Sequence, residues 1–132
     1  KRCTILKRAV FELGLDDRVE VLNCSVEELS RGEYREKAKL VTARSFGSPA
    51  ITAECAMPLL REDGVFVVSE PPLNNSTKNE DRWPVDGLNV LGLKEEMQWH
   101  TGLAGYRAFY RAVKCSEIYP RRFKKIVKNP VF

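Results

Sequence analysis

The chain has 132 residues, 43% hydrophobic and 30% charged, which suits one globular domain that buries about two thirds of its unfolded surface. The sequence has neither an apolar run of about 18 residues nor a charged-then-apolar leader, which excludes a membrane span and predicts a soluble, cytoplasmic protein. The formal net charge of +4 is modest, and its uneven placement along the chain is more informative than its size.

The cysteines do not form a metal-binding pattern. Cys3, Cys24, Cys55 and Cys115 are widely spaced, and the single histidine, His100, cannot complete a typical zinc site with them. The sequence therefore predicts reduced thiols that mostly fill the core, and no metal.

The first third of the chain predicts a helix, a strand and a short helix. Residues 3–13 carry apolar side chains at helical spacing, and residues 18–22 alternate in the manner of a strand. Ser25 and Glu28 have the spacing of a capping box that opens a short helix. Because a helical pattern begins so close to residue 1, which is not a methionine, we expect a further segment ahead of it.

The middle of the chain predicts a strand, a helix and a second strand. The strands are expected at residues 39–42 and 65–68, and the helix at residues 49–60. Pro49 suits the first helical turn, Pro58 is expected to end or bend the helix, and Asp63 with Gly64 predicts a turn. Alternation of strand and helix favours a parallel sheet, so the fold class is predicted to be α/β.

The last part predicts a loop, a hairpin and a basic tail. Residues 71–85 begin with prolines, are largely polar, and predict a mobile loop. A short helix or turn is expected within residues 86–93, followed by strands at 97–101 and 107–113 that form an antiparallel hairpin at the sheet edge. We predict one domain over residues 1–132, with residues 119–132 as the basic tail.

Two side chains follow the predicted parallel strands directly. Ligands bind α/β sheets at the carboxyl ends of strands, so Arg44 is either a ligand or phosphate contact, or the partner of Glu27 or Glu54 in a surface ion pair. Glu70 lies at the equivalent end of the second strand, where a solvated loop acid is the favoured interpretation. Phosphate-loop, nucleophile-elbow and metallohydrolase motifs are all absent from the sequence, so it indicates no catalytic nucleophile.

Aromatic and basic residues in the last third have two interpretations each. Trp83 is predicted to be a hydrophobic anchor, with a stacking platform for a base as the alternative. His100 is predicted to be a packed edge residue rather than a base. The tail predicts phosphate binding, with a merely solubilising role as the alternative, because it concentrates cations without an acid: Arg121, Arg122, Lys124, Lys125 and Lys128.

A family resemblance covers nearly the whole chain. It rests on the segments KRCTILKRAVFELGL, VEVLNCSVEEL, VTARSFGSPAITAECAMPLL, DGVFVVSEPP, RWP, YPRR and KNPVF. Together these resemble the RsmG (GidB) family, and more narrowly its actinobacterial branch. The resemblance implies an S-adenosylmethionine-dependent enzyme that methylates N7 of a guanine in 16S ribosomal RNA, with that RNA or the 30S subunit as its partner.

The resemblance also implies a Rossmann-like class I methyltransferase sheet that here lacks its first two strands and the glycine-rich loop, with a carboxyl-terminal antiparallel hairpin. The cofactor contacts that remain by match are Val26, Glu27 and Arg44. Arg107, from its place in the final hairpin, and the five clustered tail cations are the predicted RNA contacts, and under the stacking alternative Trp83 would stack on the guanine. No general base is expected, because N7 already offers an accessible lone pair.

Three departures from the family pattern limit this transfer. Ser25 stands where many members have arginine, Glu70 stands in a segment that often reads A-L-K-G, and FKKIV replaces glycine and proline in the tail. Loss of central strands predicts exposed strand edges, and therefore self-association, rearranged pairing or marginal stability. Two other functions stay open: a non-catalytic RNA-binding α/β module, and a methyltransferase with a different acceptor.

Overall fold

A mixed four-stranded sheet forms the centre of the computed structural model, which describes residues 1–71 and 81–132. In the described residues its strands are β1 (Ala38–Ala43), β2 (Leu60–Glu70), β3 (Leu93–Thr101) and β4 (Ala104–Arg111), in the order β1-β2-β4-β3. β1 and β2 are parallel, whereas β4 is antiparallel to both β2 and β3. The α/β class and the carboxyl-terminal hairpin are confirmed, and β3 is an edge strand.

Helices lie before, between and after these strands. They are α1 (Arg2–Glu12), α2 (Val26–Leu29), α3 (Pro49–Ala56), α4 (Val85–Leu91) and α5 (Phe123–Lys128). α3 joins the two parallel strands, begins at Pro49 as predicted, and tightens into the 3-10 turn Met57–Leu59. Proline lacks the N–H that would continue the α-helical ladder, so Pro58 ends α3 as expected.

The strand predicted at residues 18–22 is wrong. These residues follow a turn in which the N–H groups of Arg18 and Val19 both donate to the carbonyl of Leu15, at 3.1 and 2.8 Å. Alternating β-branched residues form a strand only beside a neighbour that accepts their hydrogen bonds. Within the described residues, β1 pairs only with β2, and residues 18–22 pair with no strand.

Two local turn signals also differ from expectation. Asp63 and Gly64 do not end an element but lie inside β2, where residues 61–64 bulge between the pairs Ala38–Leu60 and Leu40–Val65. A Cβ on Gly64 would lie 2.9 Å from the Ala38 carbonyl oxygen, so this close approach requires glycine. α2 forms as predicted, but its capping residue, Ser25, makes no side-chain hydrogen bond with the helix.

An aromatic cluster anchors the segment before α4 to the sheet. Trp83 is 1% exposed, and its ring centroid lies 4.7 Å from that of Phe109, which stacks on Phe66 at 5.8 Å. The anchor interpretation of Trp83 is confirmed. Stacking on a substrate base is wrong, because core side chains already cover this ring. Most of the predicted mobile loop, residues 72–80, lies outside the described residues.

Apolar side chains are exposed on both β1 and α1. Leu40 is 59% exposed on β1, and α1 contains no buried residue, with Ile5, Leu6 and Phe11 all exposed. Among the described residues, the outer edge of β1 therefore pairs with no strand and carries an exposed apolar side chain. In the part of the chain that the structure describes, no helix is long and apolar enough to cross a membrane.

Candidate functional site

A cavity of about 550 Å³ opens where the parallel strands β1 and β2 end. Its walls are the segment after β1, the first turns of α3, the end of β2, the Arg82–Trp83 segment and the turn between β3 and β4. Loops diverge at the carboxyl ends of parallel strands and leave a crevice there. The cavity therefore occupies the place that the sequence predicted for a ligand.

Arg44 is the predicted site residue that lines this cavity. Its side chain is exposed, and the chain turns away from β1 immediately after it, at Ser45, which has a φ of 51°. Among the described residues Arg44 forms no ion pair, and the alternative partner Glu54 binds a different arginine. Contact between Arg44 and a ligand therefore stays a prediction. The predicted ion pair between Arg44 and Glu54 is wrong.

Glu70 also lines the cavity, but it is not the solvated loop acid that the sequence favoured. Its side chain is 12% exposed, and its two oxygens accept hydrogen bonds from Trp83 Nε1 at 2.9 Å and from Arg82 at 2.7 Å. A carboxylate that is mostly buried is retained only with such partners. Glu70 thus fastens the Arg82–Trp83 segment to the end of β2.

Val26 and Glu27 are half-buried on α2 and are not among the residues that line this cavity. Glu27 lies near Cys55 of α3, about one helical turn beyond Thr52 of the cavity wall. Burial, with smaller contributions from Glu27 and Glu54, raises the pKa of the Cys55 thiol to about 12. The described residues therefore do not bring the three predicted cofactor contacts into one cavity, and they do not by themselves form a complete cofactor site.

The cysteines agree with the structural prediction only in part. Cys55 and Cys115 are buried, and burial is also the main cause that raises the pKa of Cys115 to about 11. Cys24 is exposed, and Cys3 is half-buried near the end of residues 18–22. Among the residues with described positions, no cluster of histidine, cysteine or acidic side chains could hold a metal ion.

Sequence analysis missed the buried ion pair between Glu54 and Arg121. Glu54 is fully buried and accepts three hydrogen bonds from Arg121: from the backbone N–H at 2.9 Å, from Nε at 2.8 Å and from Nη2 at 2.6 Å. The hydrogen bonds with Glu54 raise the pKa of Arg121. Arg121 is therefore committed to holding the tail against α3, although the sequence grouped it with the RNA contacts.

Two arginines ahead of β1 hold the same part of the tail. Arg31 donates to the Pro120 carbonyl at 2.6 and 3.0 Å, and Arg35 donates to the Tyr119 carbonyl at 2.7 Å. α5 then contacts α3 and buries Ile126. The remaining predicted tail contacts are exposed around this anchored helix: Arg122, Lys124, Lys125 and Lys128.

Arg107, the other predicted RNA contact, lies on β4 within a small network of acids. Its guanidinium is 3.3 Å from both Asp81 and Glu95, and its side chain is 16% exposed. These contacts connect β4 to β3 and to the segment before Trp83. Arg107 therefore has structural partners, and its contact with RNA remains a prediction.

The hairpin adds an aromatic pair that the sequence did not single out. Trp99 on β3 and Tyr106 on β4 are register partners, and their rings stack with centroids 5.4 Å apart and planes 19° apart. Tyr106 also lines the cavity. The neighbouring His100 is exposed on the edge strand, and its ring lies over Gly105, where a Cβ would be 3.2 Å from Nε2. The sequence places Trp99 and Tyr106 on or beside two predicted strands, but it does not give the register that brings their rings together.

No family model matches the chain. It is 31% identical to the ribosomal RNA small subunit methyltransferase G of Lactobacillus helveticus over 99% of the chain and 56% of that protein. The proteins of the same name from Lactobacillus acidophilus and Staphylococcus epidermidis are 32% and 28% identical over 73% and 99% of the chain. The chain thus spans about half the length, 56%, of the first of these relatives.

Proposed function

Because the chain belongs to the ribosomal RNA small subunit methyltransferase G family, we propose that its protein transfers a methyl group from S-adenosylmethionine to N7 of a guanine in 16S ribosomal RNA. The family implies the class I methyltransferase fold, with which the α/β sheet agrees. The proposed partner is the 16S RNA, free or in the 30S subunit, and the proposed location is the cytoplasm.

The observation that carries this proposal is the cavity at the ends of β1 and β2. It combines an exposed arginine, Arg44, with an aromatic ring, Tyr106, and both groups recognise the flat face of a nucleobase. Sequence-specific proteins read RNA mainly at unpaired bases, which can enter such a crevice. The exposed cations around α5 supply the complementary charge for phosphates.

The chemistry asks little of the side chains beyond placement. S-adenosylmethionine, when bound, supplies an electrophilic methyl group on sulfur. N7 of guanine has a lone pair and no proton, so its new bond to carbon forms as the sulfur–carbon bond breaks, and the base gains one positive charge. The residues of this chain therefore need to hold the base in line rather than remove a proton. Val26, Glu27 and Arg44 remain the proposed cofactor contacts, and Arg44, which lines the cavity, is proposed to orient either the cofactor or the guanine.

A non-catalytic RNA-binding role is the second candidate function. The exposed cations of α5 favour it, because phosphate binding by surface lysines requires no cavity. Transfer to another acceptor, such as a small molecule or a protein, remains the alternative among methyltransferases.

Methyl transfer to unmodified 30S subunits tests these proposals. We expect the protein expressed from its gene to label 16S RNA with tritium from S-adenosylmethionine, and to place the label at N7 of one guanine. Replacing Arg44 with alanine is expected to lower kcat/KM by roughly 10-fold or more, since it loosens the placement of reactants. Arg2→Ala, on an exposed turn of α1, is the matched control and should leave the rate unchanged.

Two results would contradict the proposal. RNA binding without methyl transfer would favour the non-catalytic role. Label in a protein or small molecule, with the RNA unlabelled, would favour another acceptor.

We also propose that the chain associates with a second copy of itself along β1. In the part of the chain that the structure describes, the outer edge of β1 pairs with no strand and exposes Leu40, and such an edge is a template for a strand of another chain. Leu40→Lys is expected to shift sedimentation toward the monomer, because a lysine on an edge strand opposes pairing. Val90→Lys, at an exposed apolar position on α4, is the control. A wild-type chain that stays monomeric at roughly 100 µM would exclude this pairing.

A further inference from the structure

One row of side chains crosses the cavity end of the sheet. Ser69 of β2 pairs with Tyr106 of β4, and Tyr106 pairs with Trp99 of β3. Arg44 follows the last residue of β1, whose partner is Val68, so Arg44 lies level with Ser69. Register partners point to the same face of a sheet, so serine, tyrosine and tryptophan form a row across three strands. Arg44 lies just beyond the end of the fourth strand, β1.

This row leaves a gap between two planar groups. Neighbouring strands lie about 4.8 Å apart, so β1 and β4, with β2 between them, are separated by roughly 9.6 Å. Ser69 of β2, whose side chain is small, is the described strand residue between Arg44 and Tyr106. All three residues line the cavity, so the gap opens into it. It is wide enough to admit one flat ring between the arginine and the tyrosine.

The Tyr106 ring, which forms one wall of the gap, is already held in place by a neighbouring ring. One face of the Tyr106 ring is stacked on Trp99, which holds the ring upright and leaves its other face toward Ser69. A ring that is already held by a neighbour loses less conformational freedom when a ligand stacks on it. The Trp99–Tyr106 pair therefore offers a preorganised ring face on which a ligand ring can stack.

We propose that this gap binds one unpaired guanine base of RNA, stacked on Tyr106 and covered by the guanidinium of Arg44. The inference rests on the proposed function, and it names the groups that hold the acceptor base. Aromatic rings and arginine planes are the usual stacking partners of splayed-out RNA bases. A purine is also part of the cofactor, so the same chemistry would suit its adenine, and the experiment must separate the two.

The proposal is tested by a double-mutant cycle, in which one change is made in the protein and one in the RNA. The 132-residue chain is titrated into a labelled single-stranded RNA that carries one guanine among uridines, and into the same RNA with an abasic site replacing the guanine. Wild type is expected to bind the guanine RNA about 10-fold more tightly, a usual effect of one stacked base. Tyr106→Leu should bind both RNAs with the same affinity, because the ring that distinguishes them is absent.

Two further variants separate stacking from folding. Tyr106→Phe keeps the ring and should preserve the preference for guanine, whereas Tyr106→Leu keeps the bulk without the ring. Tyr110→Leu is the control for the same change on the same face of β4, four residues further along the strand. Far-ultraviolet circular dichroism checks that each variant is folded.

Each remaining outcome overturns the proposal in a distinct way. Equal guanine preference in wild type and Tyr106→Leu places the base elsewhere, while the proposed function stands. Loss of the guanine preference when S-adenosylhomocysteine is added, with direct binding of that compound abolished by Tyr106→Leu, assigns the gap to adenine. A wild-type chain that binds neither RNA removes the inference, and the methyl-transfer assay then decides the proposed function independently.

Discussion

Replacing Glu54 with alanine is expected to lower the free energy of unfolding by about 3–5 kcal/mol, the usual result of breaking a buried ion pair from one side. The carboxylate is fully buried and accepts three hydrogen bonds from Arg121, whose side chain is only 17% exposed. In the variant, the guanidinium remains in a poorly solvated position without its counterion. Urea denaturation, followed by circular dichroism, measures the change.

Two control variants separate loss of the buried ion pair from loss of an acidic side chain alone. Glu62→Ala removes an acid from an exposed position on β2 and should change the stability by about 0.5 kcal/mol or less. The double variant Glu54→Leu/Arg121→Met removes both charges and should recover much of the loss, since neither ion is then left unpaired. A loss below about 1 kcal/mol in Glu54→Ala would show that the tail does not depend on this pair.

Replacing Lys124, Lys125 and Lys128 together with glutamine is expected to weaken binding to single-stranded RNA by roughly 100-fold at 0.1 M salt. All three lysines are exposed on α5. Each cation that neutralises a phosphate contributes about 0.7 to the slope of log K against log salt, so three contribute about 2. Titrations at several salt concentrations measure both the affinity and the slope.

The matched control for this triple variant is Lys7→Gln/Lys37→Gln/Lys39→Gln. It removes the same charge from exposed positions outside α5 and should leave the slope nearly unchanged. Arg121 is kept in both proteins, because its replacement would confound RNA affinity with loss of the anchored tail. An equal loss of RNA affinity in the two triple variants would mean that the affinity depends only on the net charge of the chain.

Local patterns account for the elements that the sequence predicted correctly. The apolar residues 65–68 and the helical spacing after Pro49 define a strand–helix–strand unit, and parallel strands joined in this way place Arg44 at a crevice. The hairpin likewise follows from two alternating runs around Gly102. In each case the signal and its structural consequence lie within about 30 residues of one another.

Long-range pairings account for what the sequence did not predict. Glu54 and Arg121 are 67 positions apart, and nothing local to Glu54 shows that an arginine will reach it. The row that includes Ser69 and Tyr106 depends on the register between β2 and β4, which only the assembled sheet fixes. Residues 18–22 carry a strand pattern, but such a pattern needs a neighbour, and the sequence alone does not say whether one is present.

The anchoring of the tail also sets an order of events during synthesis. Arg121 is made 67 residues after its partner Glu54, and Tyr119 is made 84 residues after its partner Arg35. At about 5–20 residues per second, a ribosome leaves the acid on α3 without its partner for roughly 3–13 seconds. Until Arg121 has left the exit tunnel, Glu54 lacks its hydrogen-bond partner, and its carboxylate is expected to stay in contact with water. Formation of the buried Glu54–Arg121 ion pair is thus a late step in folding during synthesis.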